Sequence, residues 1–128
     1  MTTADLFMFA LTIWRENRGG GRVGMQSCGN VILNRAARRK TSPYEECVRA
    51  WQFSSITAPG DPELTIWPRL SDAQWIEAQA LARNAALGNL PDITGGATSY
   101  FALSLAEPPS WAATMTKTVE IAGQAFYC

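Results

Sequence analysis

The chain of 128 residues is 47% hydrophobic and 17% charged, which is typical of one globular domain, expected here over residues 1–128, and not of a disordered or fibrous protein. Eleven basic residues balance eleven acidic ones, so the sequence lacks the basic surplus of a nucleic-acid-binding protein, and we expect no nucleic-acid partner. The sequence contains no histidine, which excludes Ser-His-Asp and Cys-His catalysis and leaves carboxylates, hydroxyls, amides, thiols and lysine for any chemistry.

The first predicted element is a helix over residues 4–16, in which the run 6–14 is apolar apart from Thr12. We expect Thr3 to be its N-cap and three glycines at 19–21 to end it. An apolar run of this length cannot span a bilayer, which takes about 20 residues. The pattern therefore predicts a buried helix and no stable membrane insertion.

A second helix is predicted over residues 23–39. Its end and the residue that follows are basic, with Arg35, Arg38, Arg39 and Lys40. Cations at this position are stabilised by the helix dipole. We favour a solvated helix end over the other interpretation, which is contact with an anionic polymer.

Capping residues predict two further helices. Ser42 and Glu45 form a capping box, with a proline in the first helical position. The next helix should begin within residues 71–74 by the same capping logic and end at Gly88. Residues 51–70, which lie between the two helices, contain three prolines and are predicted to be a long loop of the kind that often carries function.

The last third of the chain has a different pattern. Residues 94–101 and 115–127 hold β-branched and aromatic residues around glycines, which predicts one or two short strands or a hairpin. Glu120 should face solvent on such a strand. The fold class is therefore predicted to be mainly α with a small β part (α+β).

The three cysteines, Cys28, Cys47 and Cys128, are odd in number, widely spaced and without a Cys-x-x-Cys pair. This spacing does not suit zinc, and it indicates no disulfide framework. We interpret the cysteines as small buried residues with reduced thiols, or at most one pair. We expect no metal and no cofactor.

Glu16 is the carboxylate that stands out. It ends the first helix, and the residues three, four and seven positions earlier, Ile13, Thr12 and Phe9, share its helical face. A carboxyl group on such a mostly apolar stripe prefers to stay protonated, as a general acid must. The competing interpretation is a helix-end salt bridge with a nearby arginine, at position 15, 18 or 22, and composition alone favours it. Asp61, Glu63 and Asp92 remain weaker candidates for a second catalytic group.

Six segments, in order along nearly the whole chain, resemble the SleB-type cell wall hydrolases, a family that includes spore cortex-lytic enzymes and phage hydrolases. They are Ile13–Gly19, Val31–Arg35, Trp51–Ser54, Gly95–Phe101, Pro109–Trp111 and Ile121–Tyr127. The resemblance implies a lysozyme-like, lytic-transglycosylase-like fold with Glu16 as the catalytic acid. Two features depart from the family: Gly20 stands where a second glutamate is usual, and Ser99 and Ala125 stand where histidines are often found.

The resemblance implies a peptidoglycan-degrading glycosidase that cleaves the β-1,4 bond between N-acetylmuramic acid and N-acetylglucosamine. With a single acid, the reaction would be either that of a lytic transglycosylase or simple hydrolysis by a muramidase. Polar residues suited to N-acetyl and hydroxyl groups are Gln52, Ser54, Asn34 and Thr98. The aromatic candidates for stacking on sugar rings are Tyr100, Phe53 and Trp67. Core packing is the competing role for Phe53 and Tyr100, and fixing a loop is the competing role for Asn34.

A different class of function, a peptidoglycan-binding module without catalysis, would share the aromatic residues but would need no acid.

The chain begins without the basic region of a signal peptide. We therefore expect a protein that is made in the cytoplasm and acts on the cell wall after the membrane is permeabilised, as a bacteriophage endolysin does. We expect this protein to be a monomer.

Overall fold

The computed structural model describes all residues 1–128 and has five α-helices and one three-stranded sheet. The helices are α1 (Thr3–Asn17), α2 (Gly21–Arg39), α3 (Pro43–Val48), α4 (Ser54–Thr57) and α5 (Ala73–Ala86). The strands are β1 (Ser99–Ala102), β2 (Lys117–Ile121) and β3 (Gln124–Tyr127). Short 3-10 turns occupy Arg18–Gly20, Pro62–Thr65 and Ser110–Thr114. The predicted fold class, mainly α with a small β part, is confirmed.

Helix α1 lies at the centre of the fold, where it packs against α2, α3 and α5. Phe9 and Ile13 of α1 are fully buried in the main core. Helix α2 approaches α1 so closely at Gly29 that a Cβ atom there would lie 2.7 Å from Cζ of Phe9. The apolar run in the sequence therefore forms the buried helix that was predicted.

The structure contains two capping boxes, one of which was predicted. Thr2, and not Thr3, caps α1: its hydroxyl accepts from the Asp5 backbone N–H at 3.1 Å, and Asp5 accepts from the Thr2 N–H at 2.8 Å. The predicted box of Ser42 and Glu45 is confirmed, with distances of 3.1 Å and 2.7 Å. In each box the carboxylate three residues after the cap accepts the second hydrogen bond, from the backbone N–H of the cap residue.

The segments before and after α3 are more regular than predicted. The glycines at 19–21 do not form an open loop, because α2 already begins at Gly21. Residues 51–70 contain α4 and a 3-10 turn that Asp61 caps through the Glu63 N–H at 2.8 Å. Helix α5 begins after Asp72, whose carboxylate accepts from the backbone of Arg69 instead of capping the helix.

The carboxyl-terminal strands form one antiparallel sheet in the order β1-β3-β2. β2 and β3 are joined by Ala122 and Gly123, which both have positive φ values, 48° and 78°, as a tight hairpin turn requires. Phe126 of β3 is fully buried and packs with Val31 of α2, which attaches the sheet to the helices. Glu120 is exposed, as predicted.

The cysteines do not pair with one another: Cys28 and Cys47 are buried, and Cys128 is exposed. A bilayer could not be crossed by any of the helices, since none combines the necessary length with sufficient apolar character.

Candidate active site

The carboxylate of Glu16, on the last turn of α1, contacts two hydroxyl groups from distant parts of the chain. Tyr100 Oη on β1 donates to Oε1 at 2.7 Å, and Ser55 Oγ on α4 donates to Oε2 at 2.5 Å. The residue as a whole is half-buried. Helices and sheet therefore meet at this carboxylate, and each of its oxygens has its own partner.

The surroundings of Glu16 are more polar than the sequence predicted. Phe9, Thr12 and Ile13 share its helical face and are fully buried, but the carboxylate itself is hydrogen-bonded to two hydroxyls. A hydroxyl can donate to a carboxylate or accept from a carboxylic acid. Ser55 and Tyr100 can therefore hold the side chain in either protonation state, which a group that gives up and regains a proton requires.

The alternative of a helix-end salt bridge is wrong, because each nearby arginine is engaged elsewhere. Arg18 forms a two-pronged ion pair with Glu63, with distances of 2.8 Å and 2.9 Å. Arg22 pairs with Glu77. The carboxylate of Glu16 is thus left for its two hydroxyl partners.

Arg15 positions Ser55. The guanidinium of Arg15 is buried and donates to the backbone carbonyls of Ser55 at 3.2 Å, Ile66 at 3.2 Å and Leu64 at 3.4 Å. Burial lowers the pKa of Arg15. The arginine that precedes the candidate acid therefore fixes segment 55–66 against the end of α1.

Tyr100 is held in place by a ring contact and by the hydrogen bond of its hydroxyl. The centre of its ring lies 5.4 Å from that of Phe126, and its hydroxyl donates to Glu16. Burial, followed by interactions with Cys28 and Glu16, raises the pKa of Tyr100 well above its ordinary value, and burial raises that of Cys28 to about 12. Tyr100 therefore stays neutral and remains a hydrogen-bond donor at any ordinary pH.

The three weaker carboxylate candidates all have structural contacts. Asp61 caps a 3-10 turn, and Glu63 pairs with Arg18. Asp92 accepts four hydrogen bonds, two from Thr94, one from the Gly96 N–H and one from Asn34. Burial would raise the pKa of Asp92, but these hydrogen bonds lower it below its ordinary value.

Two predicted substrate-binding residues have structural roles instead. Phe53 is 1% exposed and packs in the core, so its ring offers no face to a sugar. Asn34 donates to Ala97 O at 2.9 Å and to Asp92 at 3.1 Å, so it fixes the 92–97 loop. The structure thus shows the competing role for each residue: core packing for Phe53 and fixing a loop for Asn34.

The other predicted residues lie at or near the surface. Gln52 and Thr98 contribute to a polar cavity of about 100 Å³, which we call the arginine cavity. It is lined by Arg35, Arg38, Arg39, Gln52, Thr98 and Ser99. Ser54 is exposed and its hydroxyl makes no hydrogen bond, whereas the adjacent Ser55 bonds Glu16. Trp67 is 59% exposed, with the guanidinium of Arg15 4.6 Å from its ring centre.

The arginine cavity corrects the interpretation of the basic end of α2. Lys40 is exposed, as a solvated helix end predicts, but Arg35 is half-buried and lies 5.2 Å from the ring centre of Phe53. The cluster is therefore partly an internal structure.

Sequence reasoning missed Ser55 and Trp51. Trp51 is 86% exposed and has a φ of 67°, a backbone conformation that aromatic residues rarely adopt. Ser55 follows the Trp51–Ser54 motif directly, and only the fold shows which of the two serines turns towards Glu16.

A larger cavity than the arginine cavity is separate from Glu16. It has a volume of about 300 Å³ and lies between α1 and α5, beside Phe7 and Trp75. It opens along the first half of α1, whereas Glu16 is on the last turn. The size of this cavity would place a ligand between α1 and α5, whereas the acidic group and its hydroxyl partners lie at the end of α1. The carboxylate of Glu16 with its two hydroxyls is the better candidate for catalysis.

Comparisons with known proteins identify the fold and the family. Two solved structures share the fold over nearly their whole length. The catalytic domain of the germination-specific lytic transglycosylase SleB from Bacillus anthracis is 22% identical, with a TM-score of 0.76, 100% of this chain and 97% of that chain being covered. The catalytic domain of Bacillus cereus SleB is 23% identical, with a TM-score of 0.74 and coverage of 99% and 91%. The lysozyme-like fold predicted from the resemblance is therefore confirmed.

A search of curated protein sequences finds no match. The family model described as Cell Wall Hydrolase matches residues 19–127, a segment that begins just after Glu16 and includes Ser55 and Tyr100. The match covers most of the chain and agrees with the shared fold, and the chain therefore belongs to the cell wall hydrolases, a family of enzymes that degrade the bacterial wall.

Proposed function

We propose that this enzyme cleaves the β-1,4 bond between N-acetylmuramic acid and N-acetylglucosamine in peptidoglycan, with Glu16 as the general acid. The observation that carries the proposal is the half-buried carboxylate with one hydroxyl on each oxygen and no cation paired to it. A paired carboxylate would stay ionised, whereas a group between two hydroxyls can hold a proton and release it.

In the first step, protonated Glu16 gives its proton to the glycosidic oxygen. The bond from that oxygen to C1 of the muramic residue breaks, and positive charge develops on C1 and the ring oxygen. Ser55 and Tyr100 donate to the carboxylate that forms. Because both donors are in place before the reaction, they need no reorganisation as the charge develops.

In the second step, ionised Glu16 takes the proton of the C6 hydroxyl of the muramic residue. The C6 oxygen forms a bond to C1, which gives a 1,6-anhydro ring and leaves Glu16 protonated again. A standard glycosidase would use a second carboxylate here. Asp61, Glu63 and Asp92 are engaged in structural contacts, which favours the one-carboxylate route. The name of the Bacillus anthracis relative, a lytic transglycosylase, gives this route further support.

Two exposed tryptophans are suited to stacking on sugar rings along the strand. Trp67 lies on the segment that Arg15 fixes beside Ser55, and Trp51 precedes Gln52 of the arginine cavity. A strained backbone at an exposed aromatic residue is more often found at a binding site than elsewhere. These residues would extend the substrate contact beyond Glu16.

The test is the Glu16→Gln variant, which keeps the size of the side chain but cannot deliver a proton. We expect the clearing of a suspension of purified sacculi to slow by at least about 100-fold. Glu120→Gln, an exposed carboxylate on β2, is the matched control and should clear at the wild-type rate. Full activity of Glu16→Gln at an unchanged melting temperature would show that Glu16 is not the acid.

Two further measurements separate the remaining possibilities. A binding module would sediment with sacculi without clearing them. Mass spectrometry of the released fragments distinguishes the anhydro product, which is lighter by one water, from the product of hydrolysis.

A further inference from the structure

We propose that the arginine cavity is a subsite that binds a carboxylate of the peptidoglycan strand while Glu16 acts on the adjacent glycosidic bond. The proposal rests on the proposed function, because it assumes that a glycan strand passes Glu16. It assigns a role to the basic end of α2 that neither the fold nor the acid at position 16 requires.

The charges in the cavity are only partly neutralised. Arg39 pairs with Glu46 at 2.6 Å, but neither Arg35 nor Arg38 has a carboxylate partner. Arg35 donates through Nε to Thr98 O at 2.6 Å, and its Nη1 is buried without any hydrogen-bond partner. Arg38, by contrast, is exposed, lines the cavity and makes no hydrogen bond, so its guanidinium is available to an acceptor that arrives with a ligand.

The type of ligand follows from the lining and the size of the cavity. None of its lining residues is apolar, and its volume of about 100 Å³ holds only a small group. A guanidinium presents paired N–H donors that match the two oxygens of a carboxylate. A small anionic group therefore fits better than a whole sugar ring.

Two walls of the cavity come from segments that also supply the hydroxyl partners of Glu16. Ser99 is followed directly by Tyr100, whose hydroxyl donates to Glu16. Gln52 lies three positions before Ser55, which provides the other hydroxyl. Burial lowers the pKa of Arg35, while interactions with Tyr100 and Glu16 act in the opposite direction, so both groups lie within electrostatic reach of that guanidinium.

Peptidoglycan has carboxylates in two places near the bond to be cleaved. A muramic residue without a stem peptide ends its lactyl group in a carboxylate, and a stem peptide carries carboxylates of its own. Both offer the same chemistry to the arginine cavity. The experiment must therefore distinguish three cases: binding of the lactyl carboxylate, binding of a stem-peptide carboxylate, and no binding of a carboxylate in the cavity.

The test compares Arg38→Gln with Arg83→Gln. Arg83 is an exposed arginine on α5 that does not line the arginine cavity, and it serves as the matched control. The substrates are soluble, uncross-linked glycan strands with stem peptides, the same strands stripped of stems by an amidase, and strands whose carboxyl groups have been converted to amides. On the strands that carry the recognised carboxylate, native or stripped, we expect Arg38→Gln to raise KM about tenfold and Arg83→Gln to leave it unchanged. On amidated strands the KM of the wild type should rise to a similar level, and Arg38→Gln should add nothing to it.

The stripped strands identify the source of the carboxylate. An effect of Arg38→Gln on native strands alone assigns the cavity to a carboxylate of the stem peptide, and an effect on stripped strands alone assigns it to the lactyl carboxylate, which is free only there. An effect on both strands means that the cavity accepts either carboxylate, and each of these results supports the subsite. The proposal is overturned if Arg38→Gln and Arg83→Gln have equal KM values on native and on stripped strands, or if the tenfold difference remains after amidation.

Failure of the proposed function would look different. In that case the wild type would cleave none of the strands, or Glu16→Gln would cleave them normally. The subsite is then decided by calorimetry with the native and the stripped strands: a Kd about tenfold weaker for Arg38→Gln than for Arg83→Gln on either of them upholds it, and equal values on both reject it.

Discussion

Tyr100 Oη lies 2.7 Å from Glu16 Oε1, although 84 positions separate the two residues in the sequence. The small sheet is therefore part of the candidate site and not an appendage of the helical core, because β1 brings this hydroxyl to the end of α1. Tyr100 packs on Phe126 of the neighbouring strand, which fixes the direction of its ring.

Removing the Tyr100 hydroxyl tests this relationship. In Tyr100→Phe the ring packing is kept but Oε1 of Glu16 loses its donor, and we expect kcat/KM to fall by about 10-fold to 100-fold, the effect of one hydrogen bond to a charged group. The measurement is the initial rate of release of soluble fragments from sacculi. Tyr127→Phe, a half-buried tyrosine on β3 that stacks on Phe101, is the control and should retain the wild-type rate. Equal rates for the two variants would remove Tyr100 from the site.

Ser55 and Ser54 form an adjacent pair with opposite expectations. Ser55→Ala removes the donor to Oε2 of Glu16, and we expect a loss of kcat/KM of about tenfold or more. Ser54→Ala changes an exposed hydroxyl that makes no hydrogen bond, so any effect should be confined to KM. If Ser54→Ala is instead the more damaging change to kcat, the assignment of the two serines must be exchanged.

Local patterns were sufficient to predict much of the fold. The apolar run of α1, the capping box at Ser42 and the glycine that ends α5 depend on neighbouring residues, and all three are present. The structure of residues 51–70 depends instead on Arg15, which reaches across to three backbone carbonyls. No pattern within the segment reveals that contact, so it was predicted to be a loop.

The same distinction applies to the candidate site. Glu16 could be selected from its position at the helix end and from the family resemblance. Ser55 and Tyr100 lie 39 and 84 positions away, and their contact with Glu16 depends on how the helices and the sheet pack. Phe53 was open to two interpretations, because an aromatic residue suits a sugar site and a core equally well.

The close approach of α1 and α2 predicts a cost for any side chain at Gly29. A Cβ atom at this position would lie 2.7 Å from Cζ of Phe9, within the buried core. We expect Gly29→Ala to lower the free energy of unfolding by about 1–3 kcal/mol, because the ring of Phe9 or one of the helices must shift. Gly19→Ala is the control, since a Cβ there meets no atom within 4 Å, and urea unfolding provides the measurement. An unchanged midpoint for Gly29→Ala would mean that the two helices pack less closely.

The ion pairs of Glu46 predict a specific acid dependence of stability. This fully buried carboxylate accepts from Arg39 at 2.6 Å and from Thr41 at 2.6 Å, with Arg49 at 3.4 Å. Burial alone would raise the pKa of Glu46, but these contacts hold it below its ordinary value. As the pH falls, the unfolded chain therefore takes up this proton first, so the stabilisation is present above the ordinary glutamate pKa of about 4.3 and is lost as the pH falls through the lower pKa of the folded state.

Glu46→Gln removes this charge and with it that part of the acid dependence. We expect the variant to be less stable than the wild type by about 2 kcal/mol near neutral pH, less than for a completely buried pair because both arginines are partly exposed. The difference should shrink progressively below about pH 4 in urea unfolding measured across the acid range. Glu107→Gln, an exposed carboxylate without hydrogen bonds, should follow the wild type at every pH. A difference between Glu46→Gln and wild type that stays constant with pH would mean that the charge of Glu46 contributes nothing to stability and that its effect comes from packing alone.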